Sequence, residues 1–481
     1  VELVVGASDR NVYAFESDGS NSAGWPQAVL NEVLTGPAVG DLDHDGGQEV
    51  VALTRDGKFY AWHANGTPLP NFYVNKGGSF FCGPALIDID GDGDLEIAAG
   101  SFTDNRVYLI DYSGSDHAGW PITGTDKWYG SPSVGDVDND GISELIYAGF
   151  DSSLHVWNGD GSEVTGFPVH LNGQVWSSVA VGDVNHDNHP EMAVVTNMGS
   201  IYLVNYDGTF AAGFPVDIGH TLKSAPVMAD LNDDGNLDLV FGDNVGNIYA
   251  MNAAGAFLPG FPRPLGGSIV GSPVVGDITG DAQPDIIVGS TNDVIYGLDR
   301  NGVTLRNFPI PGEASGQIIA SPALGEFDGD GHMEIAVPIK GLGHNLMVLD
   351  YKMDAQVGNL QWPNFGHDIH RSNDFDQVPY GVDEPAFHPD IFSLTQNYPN
   401  PFNASTVIKF SLRHDGETTL SIFDLLGRRV KLLSSGMLVA GNHAFIWNGT
   451  DDAGMIVTSG VYFYRLDSAE SSQTRRMVLL K

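Results

Sequence analysis

Apolar residues come in short runs cut by Gly, Pro, Asn and Asp, and the same pair of runs recurs along most of the chain. The first run of each pair follows an acidic stretch, as at Val50–Leu53, Ile97–Ala99 and Leu145–Tyr147. The second ends in a turn glycine, as in FYAWHANG at 59–66, VYLIDYSG at 107–114, IYLVNYDG at 201–208 and IYGLDRNG at 295–302. A Gly-aromatic-Pro corner usually follows, at Gly24-Trp25-Pro26, Gly119-Trp120-Pro121, Gly166-Phe167-Pro168, Gly213-Phe214-Pro215 and Gly260-Phe261-Pro262. A stretch of the type SPAVGD then leads into the next acidic segment. Runs this short, punctuated by turn formers, predict strands. Four short strands per repeat is the layout of a propeller blade, which leaves only short sheet edges exposed.

The acidic segments are seven copies of one loop, whose first residues step by 47, 48, 47, 47, 47 and 49. A fixed period in the forties marks a repeat fold in which each unit stacks on its neighbours. Oxygen-bearing side chains stand at positions one, three, five and nine. They are Asp41, Asp43, Asp45 and Glu49; Asp88, Asp90, Asp92 and Glu96; Asp136, Asp138, Asp140 and Glu144; and Asp183, Asn185, Asp187 and Glu191. The remaining copies supply Asp230, Asn232, Asp234 and Asp238; Asp277, Thr279, Asp281 and Asp285; and Glu326, Asp328, Asp330 and Glu334. Gly usually follows the third acid and turns the backbone round one point, so carboxylates and a main-chain carbonyl converge on a hard cation, as in an EF-hand loop. Ca2+ fits better than Mg2+, which demands stricter octahedral geometry. Up to seven structural Ca2+ sites are expected. A lone DxDxDG is an ordinary solvated turn, but seven registered copies are not.

Charge changes the picture only in who the partner can be. The chain carries 22 Lys and Arg against 61 Asp and Glu, a formal net of −39. Residues from 391 onward hold nine basic and seven acidic side chains, leaving 13 basic and 54 acidic before them. The loops alone hold 25 of those acids at ligand positions. Clustered carboxylates repel unless a cation neutralises them. With no basic patch to meet phosphates, nucleic acid is excluded as a partner. The single cysteine, Cys82, cannot close an intramolecular disulfide, and no apolar run reaches membrane-spanning length. The chain opens in mid-repeat, with Glu2-Leu-Val-Val-Gly-Ala aligned on Glu96-Ile-Ala-Ala-Gly-Ser, so a fragment is expected, with any export signal lost upstream.

These loops and SPAVGD strands resemble the FG-GAP repeats of integrin α-subunit propellers and the related VCBS repeats of bacterial surface proteins. The resemblance covers roughly residues 1–370 and implies loops that bind Ca2+ at the positions named. Two copies depart from it. At Asp277–Asp285, Thr279 replaces an acid and Ala282 replaces Gly, where left-handed backbone would cost about 1–2 kcal/mol. At Asp183–Glu191, Asn188 stands for Gly, a milder change. Seven loops but eight second runs leave seven or eight blades open. Trp362-Pro363-Asn364-Phe365-Gly366-His367-Asp368 is placed to complete the partial unit of residues 1–30.

Residues 376–393 lack periodicity and read as a linker between a propeller at 1–375 and a small domain at 394–481. In the latter, Val407–Leu412, Thr419–Phe423, His443–Trp447 and Val461–Leu466 read as strands of a small immunoglobulin-like β-sandwich. Its opening QNYPNPFN at 396–403, the stretches SIFDLLGRRV and SGVYFYRL, and the end RRMVLLK closely resemble the type A C-terminal sorting domain of type IX secretion. The resemblance implies export from a Bacteroidetes-like bacterium, then release or attachment to the outer-membrane surface, with secretion machinery as partner.

No GxSxG, HExxH, CxxC or phosphate-cradling glycine motif is present. His367 and His370 fall in the closure segment, and His44, His186 and His332 read as solvent-facing filler in or beside the loops. Seven residues before each loop stand Leu34, Phe81, Tyr129, Trp176, Lys223, Val270 and Ile319. Phe80, Phe81, Trp128, Tyr129 and Trp176 thus make a candidate ligand face, where rings could stack on sugars or anchor a protein. The expected protein is an all-β, calcium-stabilised propeller that binds an extracellular glycan or protein and is exported through its C-terminal domain. The alternatives are a polysaccharide-degrading enzyme like the rhamnogalacturonan lyases, which use such a propeller, and an accessory domain of an exported peptidase.

Overall fold

A computed structural model describes residues 3–312, 316–327, 332–340, 345–351, 360–362, 367 and 371–372, and then 393–394, 400, 402, 406–412, 416–423, 425, 428–438, 441–451, 455, 457–468 and 472–479. Asp328, Asp330, Asp368, His370 and the linker up to 392 lie outside the described residues. Every described element is a strand. The chain divides into two units, Val1–Tyr380 and Gly381–Lys481.

In the first unit the described strands form eight small antiparallel sheets in chain order. The second is representative: Ala38–Gly40, Glu49–Thr54, Lys58–His63 and Pro68–Asn75 pair in sequence order. Five more sheets repeat this plan, beginning at Ala85–Ile87, Ser133–Gly135, Ala180–Gly182, Val227–Ala229 and Val274–Gly276. The first sheet (Leu3–Gly6, Asn11–Phe15, Gln27–Ala28) and the last (Ala323–Gly325, Glu334–Ile339, Asn345–Asp350) have three strands each. First strands touch in succession from sheet two to sheet six and again from seven to eight, while Leu360–Trp362 touches those of both six and seven, which makes the arrangement propeller-like.

In sheets two to seven the second strand is buried along its length, as in Glu49–Thr54 and Glu96–Gly100. Both of its faces meet a neighbouring sheet, so these strands read as continuous apolar runs and not as alternating ones. The core is therefore a series of clusters between sheets. Trp25, Tyr60 and Trp62 fill the space between sheets one and two, and Phe59, Phe80 and Tyr108 that between two and three. Trp120, Trp128, Tyr147 and Trp157 lie between three and four. The Gly-aromatic-Pro corners join neighbouring sheets: Trp25 Nε1 donates to Ala64 O (2.9 Å) and Trp120 Nε1 to Gly159 O (2.8 Å). Gly24 must be glycine, because its φ is +90° and a Cβ there would meet Asn65 O at 2.0 Å.

Of the closure segment 362–368 only Trp362 and His367 are among the described residues, and Trp362 is paired away from the first sheet. Leu360–Trp362 pairs with Val274–Gly276 as a fifth strand, with Val275 opposite Trp362, and not with the partial first sheet. Gln361 Nε2 donates to Asp230 O (3.3 Å), Arg371 donates to Gly36 O, and Ser372 O accepts from Val134 N (2.7 Å). The described residues 360–362 and 371–372 thus meet backbone groups at or beside the short first strands, which would otherwise lack those partners.

The second unit holds two antiparallel sheets. Ser393–Leu394, Thr406–Leu412 and Gly441–Trp447 form one; Arg429–Leu438, Gly416–Phe423, Gly460–Ser468 and Ser472–Leu479 form the other, in that spatial order. Its own core contains Phe402, Ile408, Phe410, Leu420, Trp447, Tyr464 and Met477. Asn400 Oδ1 accepts from Val478 N (2.9 Å) and Phe402 N donates to Val478 O (3.0 Å), so the opening motif holds the last strand.

Candidate metal centres and an aromatic face

Each acidic loop is the connection of a hairpin between the first and second strands of its sheet. The ninth-position acid always opens the second strand, opposite the residue that precedes the first acid: Glu49 faces Gly40, Glu96 faces Ile87, Glu144 faces Gly135 and Asp238 faces Ala229. The first acid gathers backbone N–H groups. Asp41 accepts from Asp45 N (3.1 Å) and Gly46 N (2.9 Å), and Asp136 from Asp140 N (3.0 Å) and Gly141 N (3.0 Å). The ninth acid reaches back to the second position, Glu49 Oε2 to Leu42 N (3.0 Å) and Glu144 Oε2 to Val137 N (2.7 Å). These bonds shape the loop and leave the other oxygens turned toward one point.

Three loops bring carboxylates together with ligand atoms within 4.8 Å of one another: Asp41, Asp43 and Asp45; Asp88, Asp90 and Glu96; Asp136, Asp138 and Glu144. Asp43 Oδ1 is buried with no hydrogen-bond partner among the described residues. Burial, and then neighbouring aspartates, push Glu96 and Glu144 up to about 8 against the pull of backbone N–H groups. Burial likewise pushes Asp238 and Asp285 up to about 7. An anion is costly at these positions unless a cation compensates it, and the all-oxygen donor set suits a hard divalent ion. In the fourth to sixth loops the third position is Asn185, Asn232 or Thr279. Asn185 Nδ2 donates to Glu191 Oε1 (2.7 Å), so the amide takes up an oxygen that faces the carboxylate cluster elsewhere. Glu326 and Glu334 are described, and Phe327 N donates to Glu334 (2.5 Å).

The opposite ends of the same hairpins carry rings. Phe81, Tyr129 and Trp176 lie just before three successive first strands, and Phe102 and Phe150 just after two second strands. Ring centroids link them in a chain, with Phe81–Tyr129 at 5.6 Å, Phe81–Phe102 at 5.1 Å, Tyr129–Trp176 at 5.1 Å and Phe150–Trp176 at 4.7 Å. Phe150 is buried and the other four are half-buried. Phe80 and Trp128, at 2% and 0% exposure, sit instead in the clusters between sheets, where inter-sheet packing is their role.

The model of the FG-GAP-like repeat matches residues 41–99, 88–147, 136–194 and 230–288, each match running from one acidic loop through the next. The model of the secretion system C-terminal sorting domain matches residues 396–480. The chain carries FG-GAP-like repeats and a C-terminal sorting domain. No curated protein sequence matches it. Among solved structures, Sqt1 of Saccharomyces cerevisiae is similar at 14% identity over 74% of this chain and 93% of that one, with a TM-score of 0.54. BamB from Moraxella catarrhalis is similar at 17% identity over 71% of this chain and 92% of that one, with a TM-score of 0.49. Likeness at such identity concerns the fold alone. The sorting domain supports export by type IX secretion, and with it an interaction with the secretion machinery.

Two features of the FG-GAP-like loops escape a reading of sequence. The fourth position is left-handed as well as the sixth: φ is 53° at His44, 61° at Asn139, 61° at His186 and 59° at Asp233. Its residues are Gly, Asn, Asp and His, the types that tolerate this conformation, so the signal was present in the composition of that column. Ala282 does adopt φ 64° at the sixth position. The fourth position also bridges loops. His44 Nδ1 meets Gly93 O at 3.1 Å, His186 reaches Gly235 O, and Asp233 pairs with Arg300 at 2.5 Å. His44 and His186, expected as filler, therefore tie one repeat to the next.

Proposed function

We propose that this protein is a calcium-stabilised, eight-bladed propeller that binds an extracellular glycan or protein ligand through its ring-bearing face. The propeller spans residues 1–375, residues 376–393 tether it, and the sandwich of 394–481 directs type IX export to the surface of, or release from, a Bacteroidetes-like cell. Eight successive sheets support the blade number. The carboxylate clusters support Ca2+, with the carboxylates at positions one, three, five and nine as ligands. Calcium here is structural: it offsets carboxylate repulsion and fixes the hairpin that opens each blade.

The observation that carries the binding role is the chain of half-buried rings Phe81, Tyr129 and Trp176 on adjacent sheets. A run of side-by-side aromatic faces at the surface offers stacking area at low entropic cost. Tyr129→Ala and Trp176→Ala, assayed with the full chain on an array of extracellular polysaccharides and surface proteins, test this reading. Loss of binding with unchanged melting is expected. Retained binding by both variants would move the ligand site elsewhere.

A further inference from the structure

The ring cluster is also where the first unit places three of its few cations. Arg55 lies over Phe81 (5.5 Å to the centroid), Lys127 over Phe102 (4.9 Å) and Lys223 over Trp176 (4.1 Å). Arg55 is paired with Glu32 at 3.0 Å. Among the described residues Lys127 and Lys223 have no carboxylate partner. Stacking on a ring holds an ammonium in place without neutralising it, so its charge remains available to an anion. Trp176 Nε1 is buried without a hydrogen-bond partner among the described residues.

From this juxtaposition we infer that the face binds an anionic polysaccharide, whose sugar rings stack on Tyr129 and Trp176 while its carboxylate or sulfate groups meet Lys127 and Lys223. The inference deepens the binding role proposed above and rests on it. A sugar polymer fits better than a protein partner. The rings form a narrow chain that is mostly half-buried, whereas a stable protein interface needs about 800 Å² per partner. The acidic loops lie at the other ends of the hairpins, and at physiological ionic strength their repulsion is screened beyond about 8 Å. A polyanion approaching this face would meet Lys127 and Lys223 before the acidic loops.

The test uses the full chain with Ca2+ and four soluble probes: galacturonate oligomers, dextran sulfate, neutral dextran and poly-glutamate. Binding of galacturonate or dextran sulfate, weakened by salt, with little binding of dextran or poly-glutamate, is expected; the stronger of the first two identifies carboxylate or sulfate as the anion. Lys127→Ala/Lys223→Ala should lose about tenfold or more in affinity, Lys127→Arg/Lys223→Arg should retain it, and Trp176→Ala should lose a similar amount. Dextran bound as tightly as the charged sugars, with the lysine pair without effect, would overturn the anionic ligand and leave glycan binding standing. Poly-glutamate bound as tightly as galacturonate would overturn the sugar. If no probe binds and the rings are without effect on any ligand, the binding role itself falls.

Discussion

His44 Nδ1 and Gly93 O lie 3.1 Å apart across 49 residues of sequence, joining the fourth position of one acidic loop to the sixth of the next. The same step is made by His186 and Gly235. Loops that would otherwise be independent hairpin ends are thereby coupled between adjacent sheets. His44→Asn keeps a residue that tolerates left-handed backbone but shortens the side chain. It should cost about 1 kcal/mol in urea denaturation with Ca2+ present. An unchanged midpoint would mean that the bridge contributes nothing.

Calcium should stabilise the native state alone, so melting temperature should rise with Ca2+ and fall with chelator. The loops at Asp41, Asp88 and Asp136, with Asp at the third position, should fill first, and the loop at Asp277 last. In that last loop Asp285 Oδ2 already accepts from Ile278 N (3.1 Å) and Thr279 N (3.1 Å), and Ala282 is held at φ 64°. Ala282→Gly should gain about 0.5–1 kcal/mol by removing that strain. Anomalous scattering from crystals grown at limiting Ca2+ reads the filling order directly. Full occupancy at Asp277 beside an empty Asp136 loop would reverse it.

His155 supplies a pH dependence. Burial lowers its affinity for a proton, but Asp151 at 2.9 Å and Glu163 at 2.6 Å outweigh it and push the imidazole up to about 9. The folded value exceeds the unfolded one, so this stabilisation is complete below about pH 6.5 and is lost as pH rises through about 9. It amounts to about 3 kcal/mol at most. The stability difference between wild type and His155→Gln, measured from pH 6 to 10, should shrink over that interval. A difference that does not change with pH would show that His155 is held neutral.

Gly83 and Arg371 should be coupled. A Cβ at Gly83 would lie 2.3 Å from Arg371 Nη1, and the guanidinium is held by its bond to Gly36 O. Gly83→Ala should cost about 2 kcal/mol through overpacking. Combined with Arg371→Ala, the two costs should add to less than their sum. Strict additivity in a double-mutant cycle would separate the two residues.

The last strand of the sorting domain should be needed for export. Ser472–Leu479 is an edge strand held on its open side by Asn400 and Phe402. Deleting Arg475–Lys481 should leave the protein in the periplasm of a type IX-secreting host, with calcium-dependent melting of the propeller intact. Normal surface levels of the truncated chain would remove the sorting role.

The repeat, its strands and its acidic loops were legible in sequence because they depend on local rules: period, turn formers and oxygen side chains at fixed spacing. Seven pairings of the ninth acid follow directly from that register, as Gly182 with Glu191 and Gly276 with Asp285 illustrate. Arg429–Leu438 was missed as a strand because Lys431, Ser434, Ser435 and Gly436 dilute its apolar pattern. What depends on partners distant in sequence was decided only by the fold. Phe80 and Phe81 are adjacent and chemically alike, yet one packs on Phe59 at 5.0 Å inside the core and the other on Tyr129 at the surface. Successive side chains of an extended chain point to opposite sides, and only the neighbouring sheet determines which side is dry. The closure segment obeys the same limit. Trp362 carries no local mark of its partner, and it pairs with Val275 because the unpaired backbone edge of that first strand lies within its reach.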